Sequence, residues 1–202
     1  MNSNMFNLKV KDFGEFDLVV VGGGCAGVFA AVKAARQGLS VAIIEKSNCF
    51  GGVATNGLVN VWHSLLDANG KEQIIGGLTE EVEETLFKRG YAECCDNKSV
   101  GIYFDPNALK LVLDELVESC KIKIFFHSFY NSLILNENEI DKIIIGNKDG
   151  MGSIKAKFFI DATGDGDLCR DAGLESYVSD SIQPPTPCFL LNGKIKNIYP
   201  IL

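Results

Sequence analysis

The sequence predicts an α/β chain: a Rossmann-like parallel sheet with an inserted helical segment and a small antiparallel sheet. Three observations predict it. Phe16 to Val21 is an apolar strand that runs straight into Gly22-Gly23-Gly24-Cys25-Ala26-Gly27, a G-x-G-x-x-G spacing that opens a helix. That helix stops at Gly38, and a second apolar strand leads to Glu45, twenty-three residues after Gly22. Further on, short strand-like segments alternate with turns rich in Asn, Asp and Gly, the pattern of hairpins.

Each glycine of the first turn has its own task. Gly22 is expected to turn the chain off the strand, Gly24 to let backbone approach a pyrophosphate, and Gly27 to let helix and strand pack closely. The unpaired amides at the helix start, with the helix dipole, favour negative phosphate, so no lysine is required. No Gly-Lys-Ser/Thr follows the glycines, which excludes a Walker loop. Ala26, Ala30, Ala31, Ala34 and Ala35 make the segment from Ala26 to Gln37 slender and strongly helix-favouring. Val41-Ala42-Ile43-Ile44 is apolar throughout, as a parallel strand buried on both faces should be. Glu45, at its carboxyl end, is placed to accept hydrogen bonds from two ribose hydroxyls, which favours an unphosphorylated ribose over NADP. Strand, turn, helix, strand and acid in this order point to the adenosine half of a dinucleotide.

Residues 1–60 thus form the first part of the nucleotide-binding domain, closing with the glycine-rich segment Asn48 to Asn60. That segment reads either as a loop bringing backbone amides against a flat ligand or as a surface turn. Residues 61–120 read as a helical insertion. One helix runs from Gly76 to Phe87, with Thr79 as a candidate cap, and ends at Lys88-Arg89-Gly90. The next begins at Asp105-Pro106, cap and first helical position, and presents Leu109, Leu113, Leu116 and Val117 through about Ser119. Residues 121–129 supply a third parallel strand, Ile122 to His127. Residues 130–157 form the small antiparallel sheet, with strands Tyr130 to Leu135, Glu139 to Gly146 and Ser153 to Lys157. Residues 158–176 return to the nucleotide domain through Phe158 to Ala162 and a second glycine loop, Thr163-Gly164-Asp165-Gly166-Asp167. Asp165 or Asp167 either holds a ligand hydroxyl or caps the helix near Leu168. Residues 177–202 read as the start of an incomplete substrate lobe, with a strand at Cys188 to Gly193.

Composition narrows the function class. With 202 residues, 47% of them hydrophobic, the chain suffices for one substantial core. Nineteen basic against twenty-six acidic residues give a net charge of −7, and no basic patch interleaves with aromatics, so nucleic acid is not an expected partner. The apolar run of residues 18–21 is too short to cross a bilayer, and the charged residues 9–15 do not resemble a leader, so a cytoplasmic protein without membrane insertion is expected. Seven cysteines form no CxxC pair and no zinc or iron-sulfur spacing, so no metal is expected and reduced thiols are the default. Cys94-Cys95 reads as a redox pair or as local composition. Of the two histidines, His127 ends a strand and reads as structural. His63, in Val61-Trp62-His63-Ser64, is either a catalytic group that moves a proton or a loop histidine.

Together, Val19-Val20-Val21-Gly22 with Gly24, Gly27, Ala31, Ala35 and Gly38, Glu45-Lys46, Phe50-Gly51-Gly52-Val53-Ala54-Thr55 and Ile160 to Asp167 carry a resemblance that spans essentially the whole chain. The chain resembles the FAD-dependent oxidoreductases with a glutathione-reductase-like flavin domain, distantly similar to the flavin subunits of heterodisulfide and fumarate reductases. The resemblance implies FAD as cofactor, with its pyrophosphate on Gly22, Gly24, Cys25, Ala26 and Gly27, its adenosine ribose on Glu45 and its adenine beside Lys46. It further places Gly51, Gly52 and Thr55 against the ribityl or isoalloxazine part, the backbone at Ser128 or Phe129 against adenine, and Thr163, Gly164 and Asp165 over the phosphates. Hydride or electrons would pass through flavin N5 to or from a small-molecule substrate or redox partner. Proteins of this kind continue into a substrate lobe and return to the flavin domain, so the chain reads as an amino-terminal portion, with a separately encoded carboxyl-terminal half as a possible partner. The alternatives are a nonenzymatic nucleotide-binding remnant, an NAD-binding dehydrogenase, which the second glycine loop disfavours, and a thiazole-forming protein, for which no reactive cysteine arrangement recommends itself.

Overall fold

In a computed structural model of the chain, residues 9–95, 101–177, 179–182 and 184–191 are described. The first crossover is β1 (Lys11–Val21), α1 (Cys25–Arg36) and β2 (Val41–Ile44). After a 3-10 turn at Gly52–Ala54 come β3 (Val61–His63), α2 (Leu78–Lys88), β4 (Ala92–Cys94), β5 (Gly101–Phe104) and α3 (Pro106–Ser119). The chain then forms β6 (Lys123–Phe125), β7 (Phe129–Asn136), β8 (Glu139–Asn147), β9 (Gly150–Asp161) and α4 (Asp167–Asp171). A six-stranded sheet has the order β6-β2-β1-β9-β8-β7, and β3-β5-β4 make a second, three-stranded one.

Burial on both faces explains the unbroken apolar runs of β1 and β2. Leu18, Val20, Val41 and Ile43 face Val28, Ala31 and Val32 of α1 and Leu109, Leu113 and Val117 of α3. Val19, Val21, Ala42 and Ile44 lie in a separate cluster with Ile143, Ile145 and Ile154, so the antiparallel half of the large sheet folds across the parallel half. Asp105 caps α3 as read, its Oδ1 accepting from Asn107 N at 2.7 Å and Ala108 N at 3.3 Å, with Pro106 in the first helical position.

The structure revises several boundaries. β1 begins at Lys11, five residues before Phe16, because β9 pairs with it in parallel from Gly152 onward, around a bulge between Asp12 and Glu15. β9 is one strand where two were expected either side of residue 157. Its first part pairs antiparallel with β8 and it pairs in parallel with β1 from Gly152 to Asp161, so the antiparallel strands continue the main sheet. The insertion at 61–120 contains three strands of three or four residues, too short to show an alternating pattern. Thr79 lies inside α2. The N-cap is Gly77 at φ 68°, with no side-chain bond, because the chain enters the helix through a left-handed turn. The strand expected at Cys188 to Gly193 is not formed over Cys188 to Leu191, which pair with no strand among the described residues. Asn192 and Gly193 lie outside the described residues, as does the apolar end at 198–202. Cys94 is exposed, Cys95 is buried, and both are free thiols. No helix among the described residues is long and apolar enough to cross a membrane.

Asp17 ties three strands together at the end of the sheet away from the glycine turn. Its Oδ1 accepts from Lys157 Nζ of β9 at 2.7 Å, and its Oδ2 accepts from Ser40 N at 2.9 Å and Ser40 Oγ at 2.6 Å, just before β2. Lys157 first, then Ser40, hold the carboxyl far below the ordinary carboxylate range. A carboxyl whose pKa falls on folding stabilises the fold fully above its unfolded value, about 3.9, and loses that contribution as pH falls toward the lower folded value. Asp17→Asn is therefore expected to melt below the parent at neutral pH, with the gap closing below about pH 4. Melting temperatures over a pH series check this, and a gap that does not narrow in acid would refute it.

Candidate functional site

A cleft of about 670 Å³ opens at the carboxyl ends of β1, β2 and β9, where a ligand is expected on an open α/β sheet. Its base is the turn from β1 into α1, and the three fingerprint glycines there do different things. A Cβ on Gly22, which sits at φ +109°, would stand 2.2 Å from Ala162 O, and one on Gly27 would stand 1.9 Å from Gly22 O. Those two glycines are required by the protein itself, where β1, α1 and the end of β9 meet backbone to backbone. Gly24 differs. A Cβ there would meet nothing within 4 Å, and its φ of −64° with ψ of 172° suits any residue. Gly24 is the N-cap of α1, and no side chain caps the helix. Of its first-turn amides, that of Cys25 lies on the parallel bridge between Gly24 and Gly51 and Gly27 is buried, which leaves the exposed Ala26 as the first-turn donor nearest the open space at Gly24. Cys25 turns its thiol toward Gly51 O at 3.6 Å, and burial pushes it up to about 11, so it stays protonated.

Glu45 forms the next wall. Its carboxylate is buried, Oε2 accepting from Gly23 N at 2.7 Å and Oε1 from Ser47 N at 2.7 Å. A carboxylate offers about four acceptor positions; two are used, and two remain for a vicinal diol. Beyond the sugar role expected of it, Glu45 also fastens the glycine turn to the end of β2. Lys46 lines the cleft beside it. Ser128 N donates to Glu45 O at 3.1 Å, and Phe129, 57% exposed, lines the cleft.

Between these walls lies the Phe50 to Thr55 loop. Gly51 N donates to Gly23 O at 2.8 Å, which stitches the second glycine pair to the first, and Gly52 faces the cleft. Thr55 does not. It is fully buried and its hydroxyl donates to Phe50 O at 2.7 Å, so it holds the loop's shape and cannot lie against a ligand. Thr163 and Gly164 line the cleft from the end of β9, whereas Asp165 is exposed outside it, its N–H turned onto Thr163 Oγ1 at 3.2 Å. Asp167, the second acid of that loop, lines the cleft in its place. His63 is likewise removed from the cleft: it ends β3, exposed, beside a shallow recess formed with Asp67, Asn69 and Gly70, because its strand belongs to the separate three-stranded sheet. Val53, Asn56, Gly57 and Tyr130 are lining residues that the sequence reading missed. The first three follow the glycine pair directly, a signal that was present, while Tyr130 is brought in by the folding over of β7.

The family described as "FAD dependent oxidoreductase" matches residues 17–198. The chain belongs to this family. Among curated proteins, the dihydrolipoamide dehydrogenase of Chaetomium thermophilum is 32% identical over 128 residues, 49% of this chain and 25% of that protein. Digeranylgeranylglycerophospholipid reductase 1 of Methanococcoides burtonii is 28% identical over 189 residues, 89% of this chain and 45% of that protein. The chain thus spans less than half the length of these relatives. Among solved structures, L-proline dehydrogenase from P. horikoshii superposes with a TM-score of 0.61 at 15% identity, over 85% of this chain and 58% of that one. A geranylgeranyl bacteriochlorophyll reductase-like protein from Thermoplasma acidophilum gives 0.58 at 22% identity, over 81% and 43%. These two likenesses concern the fold alone. For a member of the FAD dependent oxidoreductase family, the cleft has the parts the cofactor's adenosine diphosphate half requires: an uncapped helix start, an empty position at Gly24, and two spare acceptors on Glu45.

The glycine geometry yields a stability test. Gly22→Ala and Gly27→Ala each drive a methyl into a carbonyl and are expected to cost about 3 kcal/mol, whereas Gly24→Val forfeits only a favourable cap residue, about 1 kcal/mol or less. Denaturant unfolding of the three variants measures the ranking. A Gly24→Val protein as unstable as the other two would contradict it.

Proposed function

We propose that this chain holds FAD in the cleft at Gly24 and Glu45 and is the flavin-binding portion of an oxidoreductase. Bound there, flavin would supply hydride or electron transfer through its N5 to or from a small-molecule substrate or redox partner. The Ala26 amide in the first turn of α1 donates to the pyrophosphate, and Gly24 leaves it room. Glu45 accepts from the ribose hydroxyls while keeping Gly23 and Ser47 in place. Lys46 and Phe129 flank the adenine, and Thr163, Gly164 and Asp167 form the facing wall. The substrate side of the reaction is left to further polypeptide, in the same chain or separately encoded, since the match covers less than half of each of these relatives.

One observation carries this reading above the rest: the single fingerprint glycine that the fold does not need opens onto an uncapped helix start and a half-used carboxylate. The purified chain is expected to carry FAD, identified by its absorbance and by the mass of the ligand released on denaturation. Gly24→Val should lose it while staying folded. Glu45→Ala should weaken FAD by about 1–3 kcal/mol through lost charge-assisted bonds, and should also melt earlier because two amides lose their acceptor. A folded chain that takes up NAD but no FAD would overturn the assignment.

A further inference from the structure

Asp161 lies outside the cleft, yet it accepts more hydrogen bonds than any group lining it. It is the last residue of β9, registered against Val21, the residue before the glycine turn. Its Oδ1 accepts from Thr163 N at 3.1 Å and Thr163 Oγ1 at 2.7 Å. Its Oδ2 reaches across the loop to Leu168 N at 2.9 Å and Cys169 N at 3.1 Å, satisfying the first turn of α4, whose own N-cap, Gly166, has no side chain to offer. Thr163 Oγ1, fixed by Asp161, accepts in turn from Asp165 N and Asp167 N, each at 3.2 Å. The amides of Thr163, Asp165, Asp167 and Leu168 therefore all lead back to one carboxylate, directly or through one hydroxyl, while Ala162 N is held separately by Val21 O at 2.8 Å. At its far end α4 is tied down again, Tyr130 Oη donating to Asp171 Oδ2 at 2.9 Å.

We infer that Asp161 is a positioning residue for the cofactor: through Thr163 it holds the facing wall of the cleft, Thr163 to Asp167, in its ligand-ready shape before anything binds. The inference rests on the proposed FAD site. The physical reasoning is one of preorganisation. A loop with two glycines in left-handed conformations, Gly164 at φ 82° and Gly166 at φ 69°, has wide conformational freedom when released, and a ligand that must order it binds less tightly. Burial alone would raise the Asp161 carboxyl, but the bonds from Thr163, Cys169 and Leu168 outweigh it and keep the pKa below the ordinary value, as expected of a group held ionised by its donors. An amide cannot replace it. Asparagine has one acceptor oxygen instead of two, so whichever way it faces, its NH2 meets either the Thr163 donors or those of α4.

The test pairs FAD titration with site-resolved hydrogen exchange on the whole chain. Asp161→Asn is expected to raise the FAD dissociation constant about tenfold or more, the scale of one or two lost charge-assisted bonds. It should also speed exchange at the amides of Asp165, Asp167, Leu168 and Cys169 while those of Ala42 and Ile43 in β2 keep their protection. Thr163→Val should reproduce the weakened binding, and Thr163→Ser, which restores the hydroxyl, should recover most of it. That recovery is the outcome a general loss of stability would not produce. FAD affinity unchanged in both Asp161→Asn and Thr163→Val overturns the inference, as does Thr163→Ser binding no better than Thr163→Val. Failure of the parent chain to bind FAD would refute the proposed function instead. In that case exchange that stays slow at the four amides in Asp161→Asn would separately refute the clamp, so the two failures are told apart.

Discussion

The cleft depends on a place where no side chain fits. At Gly22 the end of β1, the start of α1 and the end of β9 meet through bare backbone, with Gly27 packed on the Gly22 carbonyl and Gly22 on that of Ala162. Because these contacts leave no slack, the axis of α1 is fixed relative to the sheet, and its uncapped start is aimed into the crevice. Close packing made by the protein for itself is thus what directs an electrostatic resource at a ligand. Gly24, two residues from Gly22, contributes in the opposite sense, by leaving space unfilled.

Two carboxylates then hold the walls to this fixed point, and they do so in the same way. Glu45 at the end of β2 and Asp161 at the end of β9 each take backbone N–H groups from loops that have few side chains of their own to anchor them. Glycine-rich segments are costly to order, and an acceptor with several donors, buried at Glu45 and half-buried at Asp161, is an effective way to do it. The roles diverge after that. Glu45 lies on the cleft with acceptor positions to spare, whereas Asp161 lies behind it with both oxygens engaged. The same residue chemistry serves contact in one case and support in the other.

The second face of the sheet is closed by the chain's own later strands rather than by helices. Ile143, Ile145 and Ile154 cover Val19, Val21, Ala42 and Ile44, and this folding over carries Ser128, Phe129 and Tyr130 to the rim of the cleft. The antiparallel strands are therefore part of the site as well as of the core. β9 makes this possible by pairing with β1 on one side and β8 on the other along a single run.

What could be read from the sequence was local. The first crossover, the glycine turn, Glu45, the Asp105-Pro106 start of α3 and the hairpin turns each depend on residues near one another in the chain, where period, capping and turn chemistry leave a signature. The dinucleotide fingerprint also announced the family. Tertiary structure decided which of those residues face the cleft. Thr55 and Asp165 were drawn toward it by sitting in glycine loops, yet one is spent on Phe50 O and the other points away. His63 was separated from it by a sheet whose strands are too short to foresee. Asp161 gave no sign of its importance, because its four donors are assembled by a loop that leaves the strand and comes back. Sequence records a residue's chemistry and its neighbours along the chain, but the direction a side chain takes is settled by contacts between segments far apart, and here those contacts separate the residues that could touch a ligand from those that hold the site in shape.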